Sequence, residues 1–201
     1  MKVTIVDYGA GNVPSVERAL ERLGAESERT SSPERIAKAE ALLLPGVGHY
    51  AALVRALDEQ NMRTPLVGAI QQGVPFLGIC LGLQVLYESS EEAPELRGLE
   101  LLAGTVCALP SNVKLPHMGW NQVVLTRHSC LLDGIESSAY FYFAHSYAVL
   151  DSNGTMAATC SHGTPFAAVV EKENIFAVQF HPEKSGDAGA RLLRNFLRIA
   201  A

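Results

Sequence analysis

The chain has 201 residues, 48% hydrophobic and 18% charged, enough apolar side chain for a sizeable core in a single domain spanning 1–201. Its formal net charge of -5 gives no electrostatic footprint for nucleic acid or an anionic membrane surface, so neither is expected as a partner. Four scattered cysteines (Cys80, Cys107, Cys130, Cys160) argue against a disulfide scaffold or structural zinc, and no apolar run approaches a signal peptide or a membrane span; a reducing cytoplasm is the expected compartment.

In chain order, residues 3–6 read as a strand, 13–23 as an amphipathic helix, 41–44 as a strand and 50–57 as a helix. Residues 76–79 form a further apolar strand, and a helix opens at Leu81. This alternation predicts an open, mostly parallel sheet with helices on its faces, and the turns after Val6, Leu44 and Ile79 are expected to share one edge. In the second half, residues 101–109, 122–125, 140–143, 147–150, 155–160, 166–171 and 175–180 read as short strands in antiparallel or mixed pairing. The chain ends in a helix from about residue 187 to 199, with Leu192, Leu193, Phe196 and Ile199 on its apolar face. Residues 91–95 read as a solvated loop.

Two turns in the first half carry glycines. Asp7-Tyr8-Gly9-Ala10-Gly11-Asn12 lacks the third glycine of a dinucleotide fingerprint, because Pro14 stands in its place; a tight turn with Pro14 in the first helical turn explains it, and no nucleotide cofactor is expected. Leu44-Pro45-Gly46-Val47-Gly48 reads first as a second turn of the same kind.

The chemistry concentrates at Gly78-Ile79-Cys80-Leu81-Gly82, a strand, a sharp turn and a helix start with the spacing of a nucleophile elbow. Unpaired N–H groups and the positive end of the helix would favour thiolate over thiol at Cys80. A small buried cysteine at a tight junction is the plainer alternative. The balance is tipped by residues 176–180, a short strand that runs into His181-Pro182-Glu183. In extended backbone, residues two apart point the same way, so Glu183 can hold one ring nitrogen of His181 while the other faces the thiol. Nucleophile, general base and orienting carboxylate are then all present. Acyl transfer also needs two backbone N–H groups facing the oxyanion, one such donor being worth roughly 3 kcal/mol; Leu81 and either Val47 or Gly48 are the candidates. A cysteine peptidase on a related fold would use the same set. His145 is a rival histidine without an acid at comparable spacing, so it reads by default as a strand-end histidine packed or hydrogen-bonded beside the site; in Pro116-His117-Met118-Gly119-Trp120-Asn121 the single Trp reads on composition as a core residue, although Trp and Met in a loop would also suit a partner surface.

These segments resemble the class I (triad) glutamine amidotransferases, and among them the glutaminase subunits of imidazole glycerol phosphate synthases. The landmarks are the turns at residues 7–12 and 44–48, Gly78 to Gln84, Glu88 to Glu92, 116–121, 143–147 and Gln179 to Ser185, so the resemblance covers nearly the whole chain. It implies an open, mostly parallel sheet with a flavodoxin-like core and helices on both faces, plus a smaller antiparallel or mixed sheet. It implies hydrolysis of glutamine through a thioester on Cys80, with Gly46, Gln84, Ser146 and Tyr147 binding substrate and with no metal or cofactor. It also implies ammonia transfer to a (β/α)8 cyclase subunit in histidine biosynthesis, docked over Asn12, Met118, Trp120 and Asn121.

Overall fold

Residues 2–151 and 153–201 are described by a computed structural model. Strand and helix alternate through the first half: β1 (Lys2–Val6), α1 (Val13–Arg22), β2 (Glu26–Thr30), α2 (Pro33–Ala37), β3 (Ala41–Gly46), α3 (Tyr50–Glu59), α4 (Arg63–Gln71) and β4 (Phe76–Cys80). The single turn α5 (Leu81–Gln84) follows β4 directly, and then come β5 (Tyr87–Ser90), β6 (Leu102–Ala108), β7 (His117–Gln122), β8 (Val124–Leu125), β9 (Tyr140–His145) and β10 (Tyr147–Val149). The chain closes with β11 (Met156–Ser161), β12 (Pro165–Lys172), β13 (Ile175–Val178) and the long helix α6 (Gly186–Ala200).

The main sheet has eight strands in the order β2-β1-β3-β4-β13-β12-β11-β8. The first five are mutually parallel, and the last three join by antiparallel pairing. A three-stranded mixed sheet, β10-β6-β5, and an antiparallel pair, β7-β9, complete the fold. Strands β3 and β4 are buried at every position, as a parallel sheet covered on both faces requires. Successive residues of β3 feed opposite faces: Leu42 and Leu44 pack with Ile36, Leu53 and Leu66 of α2, α3 and α4, while Leu43 packs with Leu20 of α1 and Phe196 of α6.

Four elements were not expected from sequence. Strand β2, Glu-Ser-Glu-Arg-Thr, is polar because it lies at the sheet edge with only β1 beside it. Helix α2 is short, with its Ser32 cap accepting from Arg35 N. Helix α4 carries Pro65 and Gly68, which hide its pattern, although proline is tolerated in a first turn. Strand β5 is half polar. Two expectations are corrected. Residues 117–121, read as a loop, form strand β7, paired residue by residue with β9. The helix at Leu81 is one turn of four residues, so a macrodipole summed over a long helix is not what acts on Cys80.

Glycine decides how closely the turn after β4 sits on its neighbours. A Cβ at Gly82 would lie 2.0 Å from Leu44 O, and one at Gly78 would lie 2.4 Å from Gly82 O. Backbone occupies those places and cannot swing aside. Gly82→Ala is therefore expected to destabilise the protein by about 2 kcal/mol or more, read as a lower urea midpoint; an unchanged midpoint would contradict this packing.

Candidate functional site

Two neighbouring strand ends build the site. Strands β4 and β13 pair in parallel with Ile79 opposite Val178, so the residues just beyond each strand emerge side by side at one edge of the sheet. Cys80 ends β4 with φ 56° and ψ -106°, a positive φ that costs a non-glycine residue on the order of 1–3 kcal/mol and turns its side chain out of the strand's alternation. Beyond β13, His181 keeps extended backbone (φ -104°, ψ 95°), its N–H donating to Tyr142 O at 2.8 Å. A single 3-10 turn, Pro182–Lys184, then brings Glu183 back alongside it.

His181 Nδ1 lies 3.0 Å from Glu183 Oε1, with both side chains almost completely buried. Asn12 Nδ2 donates to the same carboxylate oxygen at 3.2 Å. Burial by itself would disfavour a charged imidazole. The hydrogen bonds to Cys80 and Glu183, and the charge on each, outweigh it and push His181 up to about 10. The electrostatics therefore favour an imidazolium at His181.

A cavity of about 570 Å³ opens over this pair. Asn12, Val47 and Gly48 reach it from the loops after β1 and β3, Cys80, Leu81 and Gln84 from β4 and α5, and Ser146 and Tyr147 from the junction of β9 and β10. The turns after the first, third and fourth strands do share one edge. Gly46 is different: it pairs with Cys80 inside the sheet, and a Cβ there would lie 2.5 Å from Leu81 Cβ, so it gives the turn room rather than lining the cavity. Val47 also departs from expectation, because its N–H donates to the Tyr8 hydroxyl at 3.1 Å while that hydroxyl lies 3.1 Å from Val47 O. Met118 and Trp120 are 64% and 55% exposed on β7, outside the cavity lining, with Asn121 half-buried on the same strand.

Two contributions were missed from sequence. Glu92, in the segment read as a solvated loop, lines the cavity and accepts from Tyr50 N at 2.8 Å. Nothing local in sequence marks it, since its position depends on α3 packing across the loop. The second is a buried polar chain behind the nucleophile. Gln179 Nε2 lies 3.6 Å from Cys80 Sγ, and Gln84 Nε2 reaches both Gln179 Oε1 at 3.1 Å and Tyr147 O at 2.8 Å. His145 belongs to this chain and is not a rival base: Nδ1 meets Tyr147 O at 2.9 Å, and Nε2 meets His117 Nδ1 at 3.0 Å. Burial pushes His145 down to about 3 and His117 down to about 4. Among the described residues no cluster of His, Cys, Asp or Glu is arranged to hold a metal ion, and no helix is long and apolar enough to cross a membrane.

A cysteine on a strained turn thus stands beside an imidazole held by a carboxylate, at the carboxyl edge of a parallel sheet. Residues 4–200 match the glutamine amidotransferase class-I family, and the chain belongs to that family. Within it, the chain is 47% identical over 197 residues to the imidazole glycerol phosphate synthase subunit HisH of Methanothermobacter thermautotrophicus, covering 98% of each chain. It is 43% identical over 202 residues to the subunit of the same name from Aquifex aeolicus, covering 100% of this chain and 98% of that one. Among solved structures, one titled as a glutamine amidotransferase superposes with a TM-score of 0.78 at 21% identity over 98% of both chains. PurLQS from Thermotoga maritima gives 0.79 at 19% identity, over 100% of this chain and 99% of that one. At such identities these two establish the fold.

The raised His181 has a signed consequence. A group whose folded pKa exceeds its unfolded value contributes stability that is complete below the unfolded value of 6.5 and is lost as pH rises through about 10. Glu183→Gln removes one of the charges that raise it. In an NMR titration the His181 ring is expected to deprotonate far above 6.5 in the native protein and at lower pH in Glu183→Gln; identical titration curves would show that Glu183 does not hold the ring.

Proposed function

We propose that this chain is the glutaminase subunit of an imidazole glycerol phosphate synthase, one glutamine amidotransferase domain that hydrolyses glutamine and delivers the ammonia to a (β/α)8 cyclase subunit. The observation that carries the reading is Cys80, on a positive-φ turn, beside the buried His181–Glu183 pair in one cavity. Similarity over nearly the full length to subunits of that synthase supports the choice of pathway.

The Cys80 thiolate attacks the side-chain amide carbon of glutamine, and the carbonyl electrons move onto oxygen. The Leu81 N–H and a donor from the Val47–Gly48 loop hold that oxyanion. As the tetrahedral intermediate collapses, His181 gives its proton to the departing nitrogen, ammonia leaves, and a glutamyl thioester remains on Cys80. His181, now neutral, takes a proton from water, whose oxygen attacks the thioester carbon. A second collapse releases glutamate and regenerates the thiolate–imidazolium pair. Glu183 and Asn12 keep the ring aimed through both halves.

The amino-acid end of glutamine sits against Gln84, Ser146 and Tyr147. Gln84 Oε1 is buried without a partner beside the cavity, an acceptor suited to an ammonium group, and Glu92 adds a carboxylate to the same wall. The exposed Met118 and Trp120, with Asn121 and Asn12, form the docking face for the cyclase, and the pair works as a cytoplasmic heterodimer that channels ammonia. Ammonia released into water would be protonated and lost, so a subunit that is slow until its partner binds has a chemical rationale.

The test is release of glutamate and ammonia, with and without an imidazole glycerol phosphate synthase cyclase and its ligand. The expected result is weak activity alone, strong stimulation on assembly, and loss of about 10³-fold or more in Cys80→Ala, with complex formation retained. Turnover of short peptides but not of glutamine would overturn the reading; glutaminase activity that the cyclase leaves unchanged would remove the specific partner. The bond from Val47 N–H to Tyr8 makes a further prediction, because Tyr8→Phe frees that amide for the oxyanion. Turnover by the isolated subunit is expected to rise, by at most the roughly 10²- to 10³-fold that one such donor is worth, and a fall would mean that the Tyr8 hydroxyl supports the loop in its working form.

A further inference from the structure

The steps above leave Gln179 unused, although its side chain is fully buried and its amide nitrogen lies 3.6 Å from the reacting sulfur. Its position follows from the sheet. The parallel register that puts Ile79 opposite Val178, carried one residue further, sets Cys80 beside Gln179. Gln179 does not line the cavity, so it meets the sulfur from behind, where substrate leaves it undisturbed.

Which end of the amide faces the sulfur is settled by counting donors and acceptors along the chain. A backbone carbonyl only accepts, so Gln84 must present its NH2 group to Tyr147 O and His145 must carry its proton on Nδ1. A neutral His145 then accepts at Nε2, which requires a proton on His117 Nδ1. His117 Nε2 in turn accepts from Asn121 Nδ2, 3.2 Å away, and the same amide group reaches Ser161 O at 3.1 Å. At the other end, the Gln84 NH2 group also meets Gln179, which therefore presents Oε1 to Gln84 and Nε2 to Cys80. Tyr147 O accepts from both Gln84 and His145, so this one carbonyl fixes the sense of the Gln84 and Gln179 amides, and reversing either amide breaks a bond in a buried place.

The two histidines are held as firmly as the amides. His117 stacks between Phe143 at 4.8 Å and His162 at 4.3 Å, and His145 packs edge-on against Phe166 at 4.9 Å. Both stay neutral at working pH because burial has pushed them far down. The orientation of the chain is thus insensitive to pH where the enzyme operates.

We propose that Gln179 is a catalytic residue, its amide N–H donating to the Cys80 sulfur and stabilising the thiolate, and that Gln84, anchored on Tyr147 O, is a positioning residue that holds the amide that way round. The proposal rests on Cys80 being the nucleophile. A neutral donor fixed behind the sulfur stabilises the negative charge before attack and after release of the acyl group, with no reorganisation at either moment. A flipped amide would set an oxygen lone pair against the same charge. With α5 reduced to one turn, this donor and the imidazolium take over the role that a long helix would have had.

The test is the pH dependence of Cys80 alkylation by iodoacetamide in the full-length protein, read by mass spectrometry on the Cys80 peptide so that the other thiols do not contribute. Titratable groups around the sulfur are His181 with Glu183, Tyr8, and His145, Glu92 and Lys184 across the cavity, and the variants leave all of them in place. Gln179→Met keeps the length of the side chain and removes the donor; the acid limb is expected to move up by about one pH unit, with alkylation about tenfold slower at neutral pH. Gln179→Glu, which replaces the donor with an oxygen, is expected to move it further. Gln84→Met, which releases the Gln179 amide from the carbonyl that orients it, is expected to move it in the same direction by less, and it carries the test if neither Gln179 variant shows a cooperative thermal melt. A folded Gln179 variant, or failing that Gln84→Met, with the native alkylation profile would overturn the proposal. Alkylation needs no glutamine, so this result is independent of whether ammonia is released.

Discussion

The parallel pairing of β4 with β13 is the constraint on which the rest of the structure depends. These strands are separated by nearly half the chain, yet their alignment sets Cys80, Gln179 and His181 at adjoining places on one sheet edge. An elbow at the end of β4 without β13 beside it would be a strained cysteine with no base. The His181–Glu183 segment without β4 would be a polar turn after a strand. The antiparallel strands β12 and β11 extend the same sheet beyond β13, so β13 is not an edge and its register is held from both sides.

Around that pairing, the loops at the carboxyl ends of the strands share the remaining tasks. The loop after β1 touches two parts of the site at once, with Tyr8 on the Val47 peptide and Asn12 on Glu183. Displacing this one loop would act together on the Val47 peptide and on the carboxylate that holds the His181 ring. The junction of β9 and β10 closes the opposite wall through the Tyr147 carbonyl, which takes hydrogen bonds from both Gln84 and His145. Charge in the site is balanced locally, with a carboxylate behind the imidazole and a buried amide behind the sulfur.

The sequence made the parallel half legible because its strands are buried on both faces and read as short apolar runs between amphipathic helices. Phe76 to Ile79 is such a run, and the spacing Gly78-x-Cys80-x-Gly82 marked the turn that follows. His181 and Glu183 could be paired because extended backbone and Pro182 confine them. Strand β2 was illegible because an edge strand with polar residues lacks the alternation that burial imposes, and α4 because Pro65 and Gly68 interrupt its pattern. Strand β7 escaped notice because Pro116, Gly119 and Asn121 carry turn chemistry, which pairing with β9 overrides. Glu92 and Gln179 were missed for another reason: one looked like part of an acidic loop and the other like a residue inside a strand.

By itself the sequence singled out Cys80, His181 and Glu183 and the alternation that makes a parallel sheet, since each is written in local spacing. The tertiary structure decided what depends on residues far apart in the chain. It placed Gln179 on the sulfur, gave the Val47 amide to Tyr8, turned His145 and His117 into neutral links of a polar chain, and brought Glu92 to the cavity wall. Which atom a polar side chain meets is set by the register between strands and by the packing of loops, and neither leaves a periodic trace in the order of residues.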